Sequence, residues 1–387
     1  MAEEKKFNII GLGVHTIDYA TVGNIPTLEE GVDLSITGPM MTHPGGIGNG
    51  MPVAAKLFPG RVGAVTLLGN DANGHAFLAA MKDAGVDTTE IKWNTDLPDR
   101  QYEILNAEGK PESVPRERLS TGMSFVCLDP ETRDRIIFFS PGINQVIGSE
   151  HLNLDYLGRS KSVIISYATL LRALDKDRGG AMANLIRDLR GRDVLTVLDT
   201  HSIKGADYGV LEKPLKEVDV FGCNIGEARS ITGLGEDAAP EMLLNSIAGK
   251  MGIDESRSRI IAISMKERGC AVAYYRPGEK DPVIAVEPAC KVKVVDATGA
   301  GDTFKVGLVA YVVENLDAYK NGRLDIREAA RFANATAASY IRDYGTAGVG
   351  TYEETMQFAR KQYPQTMGLA APADKTTTGR REPPKRV

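Results

Sequence analysis

Cysteine and histidine are scarce in this sequence, and their spacing excludes the common disulfide and zinc frameworks. The 387 residues contain four cysteines and five histidines. No two cysteines form a C-x-x-C pair, and the histidines show no metal-ligand spacing, so neither a disulfide scaffold nor a zinc knuckle is indicated. We expect buried free thiols in a reducing compartment. The cysteines are Cys127, Cys223, Cys270 and Cys290.

Long apolar runs and an excess of basic charge are also missing. No run of about 18 apolar residues occurs, and the N-terminus lacks the basic and apolar segments of a secretory signal. Lys and Arg number 46 against 51 Asp and Glu, a formal net charge of −5. Such a surface has little attraction for nucleic acid or an anionic membrane. The sequence therefore predicts a cytoplasmic protein with neither of these partners.

Three common catalytic signatures are absent. There is no Walker A loop and no G-x-S-x-G elbow. Gly11-Leu-Gly13 follows an apolar run, but Thr16 stands where a dinucleotide fingerprint has its third glycine. The sequence therefore argues against a dehydrogenase, and any ATP site in this chain does not use a P-loop.

The order of the predicted elements indicates an α/β fold. From about residue 162, apolar runs typical of buried strands alternate with helical patterns, which favours a doubly wound, mostly parallel sheet with helices on both faces. Alternating runs over 100–140 are typical of hairpins. We expect one domain over 1–367, a small β lid built from about 19–43 and 98–140, and a disordered tail over 368–387. Pro52 suits the first turn of a helix that follows a glycine-rich loop.

Residues 296–304, D-A-T-G-A-G-D-T-F, carry the strongest functional signal. A strand-like run with Val292, Val294 and Val295 predicts a strand that reaches the glycine turn, and a helical pattern follows. The amides of 299–301 would then lie at a helix N-terminus, where unpartnered N–H groups and the helix dipole attract anions. Asp302 would stand beside that anion as a base for an attacking hydroxyl. The alternative is a helix cap and a tight turn without chemistry.

This string resembles the C-terminal signature of the ribokinase-like (PfkB) carbohydrate kinases, D-x-x-G-A-G-D-x-F. The resemblance extends over about 7–362, and it implies the ribokinase-like fold and ATP-dependent phosphoryl transfer. It also implies that Asp302 is the catalytic base. The resemblance further implies an anion hole at Gly299, Ala300 and Gly301, and a loop with Asp296 and Thr298 that in many members holds a monovalent cation such as K⁺.

The N-terminal half is similar to the family's substrate side. The segment ending in Asp18 resembles the opening strand and loop, whose final aspartate binds substrate hydroxyls, and a carboxylate can accept two of them. The segment from Pro44 resembles the family's G-G-x-x-x-N, except that Asn49 stands one place early and Gly50 occupies the Asn position. The implied substrate contacts are Asp18, Gly45, Gly46, Asn49 and Asn144, the last in a segment similar to the family's G-A-N.

The C-terminal half resembles the family's nucleotide side. Asn224-Ile-Gly-Glu227 matches an N-x-x-E pattern whose glutamate helps to place Mg²⁺ through water, although helix capping explains many such strings. Residues 263–269 occupy the place of T-x-G-x-x-G, with Lys266 where the family has a glycine. This lysine either turns outward or supplies charge to the phosphates. The implied nucleotide contacts are Asn224, Ser264, Lys266, Gly269 and Asn334.

The sequence thus predicts a kinase that transfers the γ-phosphoryl group of ATP, with Mg²⁺, to a hydroxyl of a sugar or sugar-like small molecule. Two alternatives stay open. A nucleoside (adenosine-like) kinase of the same family would need an aromatic or apolar clamp for a base, and a non-catalytic binding or scaffold protein would keep only the fold. Exposed lid strands also favour a homodimer formed through the lids.

Overall fold

The computed structural model describes residues 5–22, 40–106, 108–128, 135–201 and 205–364. The strands are β1 (Phe7–Gly13), β2 (His15–Val22), β3 (Met40–Gly46), β4 (Val62–Leu68), β5 (Asp87–Trp93), β6 (Gln101–Leu105), β7 (Pro111–Pro115), β8 (Met123–Leu128), β9 (Arg135–Ser140), β10 (Ser160–Ser166), β11 (Leu195–Asp199), β12 (Val220–Asn224), β13 (Arg259–Ser264), β14 (Cys270–Tyr275) and β15 (Val283–Glu287). The helices are α1 (Ile47–Leu57), α2 (Ala72–Asp83), α3 (Leu154–Gly158), α4 (Arg172–Gly191), α5 (Glu212–Glu217), α6 (Ile225–Thr232), α7 (Pro240–Met251), α8 (Ala300–Glu314), α9 (Leu316–Lys320), α10 (Ile326–Ile341) and α11 (Tyr352–Gln362).

The main sheet has nine strands in the order β15-β14-β13-β12-β11-β10-β1-β4-β5. In sheet order, the seven neighbouring strands β5, β4, β1, β10, β11, β12 and β13 pair in parallel. Strands β14 and β15 complete the other edge in antiparallel pairing. Parallel strands need crossover connections, and the helices supply them. The sheet is therefore mostly parallel, as the sequence predicts.

Helices cover both faces of this sheet. One buried cluster joins the sheet to α3, α4, α5, α6 and α7, and the other joins it to α1, α2, α8 and α10. Strand β1 serves both clusters, because Ile10 and Leu12 face the first and Ile9 faces the second. Because both of its faces are buried, β1 is a nearly continuous apolar run in which Asn8 is the one polar side chain. The predicted doubly wound fold is confirmed.

A second, smaller sheet forms a lid over one edge of the main sheet. It has four strands in the order β3-β2-β8-β9, and β2 follows β1 after the single residue Val14. Strands β6 and β7 form a separate hairpin. The lid sheet that the sequence predicts is therefore present, and its first strand begins before residue 19. Most of the first predicted lid segment, 23–39, and the predicted tail, 368–387, lie outside the described residues.

Two local predictions are wrong. Helix α1 begins at Ile47, five residues before Pro52, which lies inside it. The buried Ile47 amide donates to the Val14 carbonyl at 2.8 Å, so tertiary contacts start the helix early. Residues 292–295 form no strand, although β-branched residues favour one, because no strand of the sheet pairs with them. Val295 only donates its amide to the Ile341 carbonyl, at 2.8 Å.

Helix α8 packs unusually closely on α10, and Gly307 makes this possible. A Cβ built at Gly307 would lie 2.6 Å from the Thr336 hydroxyl oxygen and 3.0 Å from the Cα of Ala333. The two backbones are thus closer than any side chain at position 307 would allow. Because α10 is itself buried along most of its length, this contact fixes the position of α8 relative to the sheet.

We expect Gly307→Ala to lower the free energy of unfolding by about 1–3 kcal/mol, the usual cost of inserting an atom into a packed core. Urea unfolding followed by circular dichroism measures this change. Gly191→Ala is the control, because its Cβ would meet no atom within 4 Å; we expect it to leave stability unchanged or to raise it by up to ~1 kcal/mol. Equal stability of the two variants would contradict the close contact.

Candidate active site

The N-terminus of α8 presents free backbone amides. Gly299 stands at the N-cap with a φ of 79°, a left-handed conformation that favours glycine. The amides of Gly299 and Gly301 donate to no group in the described part of the chain, whereas the Ala300 amide reaches the Ala297 carbonyl at 3.2 Å. A Cβ at Gly301 would meet no atom within 4 Å. The turn is therefore open at Gly301, as an anion site requires, while Asn49 lies against Gly299.

Asp302 lies in the first turn of α8, and three donors hold its carboxylate. The Asn49 side-chain amide and the Tyr167 hydroxyl both donate to Oδ2, at 3.0 Å and 2.9 Å. The Lys305 ammonium lies 3.3 Å from Oδ1. The side chain of Asp302 is 13% exposed, so it is fixed in place and still reachable from solvent.

Lys305 also binds a second, fully buried carboxylate. Its ammonium lies 2.5 Å from Oδ2 of Asp199 at the end of β11. Burial raises the pKa of the Asp199 carboxyl to about 6, and the Lys305 charge opposes this shift. Burial alone would lower the pKa of the Lys305 ammonium, but Asp199 and Asp302 raise it above its ordinary value. Lys305 is therefore a permanent positive charge beside the candidate base.

Asp18 occupies the other side of the site, at the lid. Its Oδ1 accepts hydrogen bonds from the Thr16 and Ser124 hydroxyls, both at 2.6 Å. Its Oδ2 lies 3.9 Å from Nδ1 of His43. Gly45, opposite Thr16 in the sheet, leaves space for this carboxylate, because a Cβ at Gly45 would lie 2.3 Å from Oδ2.

The glycine segment joins the lid to α8. Gly46 has a φ of 62°, and a Cβ there would lie 2.1 Å from the Val14 carbonyl oxygen. This turn carries the chain into α1, so that Asn49 reaches Asp302 and lies against Gly299. The asparagine that stands one place early thus contacts the candidate base itself.

Three carboxylates of the site lie close enough to Tyr340 to act on its hydroxyl group. Tyr340 lies at the end of α10, and burial raises the pKa of its hydroxyl above its ordinary value. The carboxylates of Asp296, Asp302 and Asp18 add to this effect. Two segments far apart in sequence, the lid strand with Asp18 and the turn over 296–302, therefore direct negative charge at the same tyrosine.

Asn144 has a different position from the one predicted. It is completely buried, and its side-chain amide donates to the carbonyls of His15 and Pro141, both at 2.8 Å. Its side-chain oxygen accepts the His15 amide at 3.0 Å. Asn144 therefore holds the start of β2, which carries Asp18, and does not reach a cleft. The prediction that Asn144 contacts the substrate is therefore wrong, because its side chain is buried and its polar atoms bind backbone groups.

The N-x-x-E segment lies at the carboxyl end of β12. Asn224 and Glu227 form a reciprocal cap on α6, in which each side chain accepts the other's backbone amide at 2.9 Å. Asn224 pairs with Ser264 in the register of β12 and β13. The structure therefore brings these three predicted residues to one edge of the sheet, and the cap gives Glu227 a structural role there.

The turn between β13 and β14 contains Lys266 and Gly269. Lys266 is exposed and has a φ of 55°, a left-handed conformation that glycine adopts without strain. Gly269 has a φ of 88°, and a Cβ there would lie 2.0 Å from the Glu287 carbonyl oxygen. The turn therefore requires a glycine at 269 and tolerates a lysine at 266.

Asn334 and the loop before α8 complete this side. The Asn334 amide donates to the Pro288 carbonyl at 3.0 Å and to the Tyr363 hydroxyl at 3.3 Å, so it supports the chain that leaves β15. Oδ1 of Asp296 accepts the Thr298 amide at 2.8 Å. Within the described ranges, no group of three or more His, Cys, Asp or Glu side chains is arranged to hold a metal ion.

A cavity of about 970 Å³ opens beside Asn49. Its wall includes lid residues, the outer face of α1, and the loop that follows α10. Among its lining residues are His43, Asp296, Tyr340 and Tyr344. Its volume lies at the upper end of the range for small-molecule sites, so a ligand larger than a simple sugar would fit.

Comparison with known proteins identifies the family. The model of the pfkB family carbohydrate kinases matches residues 111–351, more than half of the chain. This chain belongs to the PfkB family of carbohydrate kinases. It is 26% identical over 278 residues to an uncharacterized sugar kinase of Archaeoglobus fulgidus, and these residues make up 72% of this chain and 90% of that protein. It is 24% identical to fructokinase-2 of Oryza sativa subsp. japonica, over 85% of this chain and 87% of that one.

The fold of this PfkB protein is also that of a ribokinase. The structure of Arabidopsis thaliana ribokinase complexed with ribose and ATP superposes with a TM-score of 0.65 at 19% identity. The superposition covers 91% of this chain and 98% of the ribokinase. The ribokinase-like fold is therefore confirmed.

Tyr167, Asp199 and Lys305 contribute to this PfkB site although the sequence motifs do not name them. Tyr167 directly follows β10, and Asp199 is the last residue of the adjacent parallel strand β11. Ligands in such sheets bind at the carboxyl ends of strands. Lys305 lies one turn after Asp302, a spacing at which two helical side chains meet. These two signals could have placed all three residues near the site.

We expect Gly45→Ala to impair binding of the acceptor substrate by this PfkB protein, because the new Cβ would displace the Asp18 carboxylate. Loss of hydrogen bonds to a charged group costs about 1.5–3 kcal/mol, so the acceptor KM should rise roughly 10- to 100-fold. The KM for ATP should not change. Steady-state kinetics measure both, and Gly249→Ala, whose Cβ meets no neighbour, is the control. An unchanged acceptor KM would argue against Asp18 as the acceptor site.

Proposed function

We propose that this protein transfers the γ-phosphoryl group of ATP to a hydroxyl of a sugar or sugar-like small molecule, with Asp302 as the base. One observation carries the proposal. The carboxylate of Asp302 is fixed by three donors, and the unpartnered amides of Gly299 and Gly301 precede it in the same turn. A base and an anion site in contact are the two parts that phosphoryl transfer requires from a protein.

In the proposed reaction the acceptor oxygen attacks the γ-phosphorus and gives its proton to Asp302. The amides of Gly299, Ala300 and Gly301 stabilise the negative charge on the transferred group. Gly299 and Gly301 serve most directly, because the Ala300 amide already bonds the Ala297 carbonyl. The positive end of the α8 dipole adds to this effect.

The acceptor is proposed to lie between the lid and α8. Oδ2 of Asp18 would accept its hydroxyl hydrogen bonds, because Oδ1 already accepts two. Gly45 and Gly46 would bring backbone close to the acceptor, and Asn49 would orient Asp302 beside it. Closure of the lid would exclude water and limit ATP hydrolysis.

The nucleotide is proposed to bind along the edges of β12 and β13, with contacts from Asn224, Ser264, Lys266 and Gly269 and with Asn334 supporting the adenine side. Mg²⁺ would neutralise the phosphates, with Glu227 acting through water, which suits a cation that keeps part of its hydration shell. Asp296 and Thr298 belong to the loop proposed to hold a monovalent cation such as K⁺.

A nucleoside kinase is the second candidate, and the large cavity beside Asn49 favours it. Tyr340 and Tyr344 line that cavity and could pack against a base, the clamp that such a substrate needs. A panel of D-ribose, D-fructose and adenosine, assayed by release of ADP, separates the two. A non-catalytic scaffold would release no ADP with any of them.

We also infer a cytoplasmic location. All four cysteines are free, and three of them are buried, which suits a reducing compartment. Among the described helices, none is both long and apolar enough to cross a membrane.

Asp302→Asn tests the proposed base. We expect kcat to fall by about 10²- to 10⁴-fold, the usual contribution of a general base, because the amide cannot take the hydroxyl proton. ATP binding, measured by calorimetry, should stay within a few-fold. Asp317→Asn, an exposed acid on the next helix, is the control and should behave like the wild type. Nearly full activity of the Asp302 variant would refute the assignment.

The lids are proposed to join two copies of the chain. Edge strand β9 exposes three consecutive apolar side chains, Ile136, Ile137 and Phe138, at 37%, 40% and 51%. An exposed apolar edge strand needs cover, and a second lid could provide it.

We expect the wild type to sediment as a dimer at micromolar concentration and Phe138→Asp to sediment as a monomer, because the new charge cannot be buried in the contact. Met242→Asp, at an exposed methionine on α7, should leave the dimer intact. A monomeric wild type would exclude the lid dimer.

A further inference from the structure

Lys305 lies in the candidate active site in a position that requires a special backbone. Its side chain is only 12% exposed and passes over Gly222 in β12. A Cβ at Gly222 would lie 3.1 Å from both Cγ and Cδ of Lys305. The missing side chain therefore leaves a channel across the sheet edge, and the ammonium reaches the carboxyl end of β11.

The ammonium closes a ring of contacts around the base. It lies 2.5 Å from Oδ2 of Asp199 and 3.3 Å from Oδ1 of Asp302. Tyr167 closes the ring on the other side, because its backbone amide donates to Asp199 at 2.6 Å and its hydroxyl donates to Asp302 at 2.9 Å. Tyr167 has a φ of 59° and stacks on His201 at 4.4 Å. The ring thus involves the ends of two strands and the start of α8.

A structural role alone explains only part of this arrangement. A buried ammonium needs a counterion, and Asp199 supplies one at the shorter of the two distances. The contact with Asp302 is additional. Oδ2 of Asp302 already accepts two hydrogen bonds, so Oδ1 is the oxygen with an open lone-pair site. Lys305 therefore holds Oδ1, while Asn49 and Tyr167 hold Oδ2.

We propose that Lys305 is a positioning residue for phosphoryl transfer, which bridges Asp199 and Asp302 and so fixes the orientation of the base. This inference rests on the proposed function. In the transfer step the acceptor oxygen bonds to the γ-phosphorus, the bond from that phosphorus to the leaving oxygen of ADP breaks, and the hydroxyl proton passes to Oδ1 of Asp302. Lys305 keeps its proton, and no bond to it forms or breaks.

Removal of the Lys305 ammonium should lower turnover and leave the binding of both substrates unchanged. A misplaced catalytic group costs about 100-fold in rate, so we expect Lys305→Met to lower kcat by about that factor. The KM values for Mg·ATP and the acceptor should change by less than about threefold, because Lys305 acts on the base and not on the bound ground state. Lys320→Met, which breaks a surface ion pair with Asp193, is the matched control and should keep the wild-type kcat.

A second variant covers a failure to fold. Lys305→Met leaves Asp199 buried without its counterion, whereas the double variant Asp199→Asn with Lys305→Met removes both charges and keeps a carbonyl oxygen for the Tyr167 amide. If Lys305 serves only to neutralise Asp199, the double variant regains the wild-type kcat and the inference is overturned. If Lys305 positions the base, the double variant folds, as thermal melting would show, and its kcat stays about 100-fold low.

The assay uses the full chain with Mg·ATP and whichever of D-ribose, D-fructose and adenosine the wild type phosphorylates. Phosphorylation of none of them would overturn the proposed function and with it this inference. An active wild type together with a fully active double variant would overturn the inference alone. An active wild type and a double variant with a low kcat and unchanged KM values would support both.

Discussion

Three donors from distant parts of the chain meet at the carboxylate of Asp302, and the site depends on their agreement. Asn49 comes from the start of α1, Tyr167 follows β10, and Lys305 lies on α8 itself. Each donor fixes a different direction, so the carboxylate has little freedom to rotate. Because α8 is held against α10 at Gly307, the base and the amides before it form one rigid unit. The rest of the fold supplies the groups that surround this unit.

The sheet explains why these groups converge. In a parallel α/β sheet the carboxyl ends of neighbouring strands share one edge, and ligand sites form there. Asp199, Asn224 and Ser264 end three adjacent strands of this edge. The lid covers the same edge from β2, so that Asp18 faces the site from the opposite side. A fixed base and unpartnered amides beneath a lid are suited to transfer a charged group away from water.

The sequence predicts the parts of this structure that depend on local patterns. Alternating strands and helices give the doubly wound fold, and the turn before Asp302 gives the helix start with its open amides. The lid sheet is also visible as hairpin-like runs. These features can be predicted because they depend on local patterns, namely the spacing of apolar residues along each strand or helix and the glycines of the turn.

The remaining features depend on contacts that are remote in sequence. The bridge from Lys305 to Asp199 requires the register of β11 against β12 and the small residue Gly222. Asn144 was predicted to contact the substrate, but its amide binds backbone carbonyls across loops. Helix α1 begins before Pro52 because its first residue is buried beneath the lid, and the valines at 292–295 have no partner strand. Local propensity contains none of this information.

The role of Asp302 can be tested with a crystal structure that contains Mg²⁺, a non-hydrolysable ATP analogue and the acceptor that the protein phosphorylates. We expect the acceptor hydroxyl to lie within hydrogen-bond distance of Oδ1 of Asp302, about 2.6–3.2 Å, and the γ-phosphate to lie against the amides of Gly299 and Gly301. A nucleotide bound away from that turn, or an Asp302 carboxylate directed away from the acceptor, would contradict it.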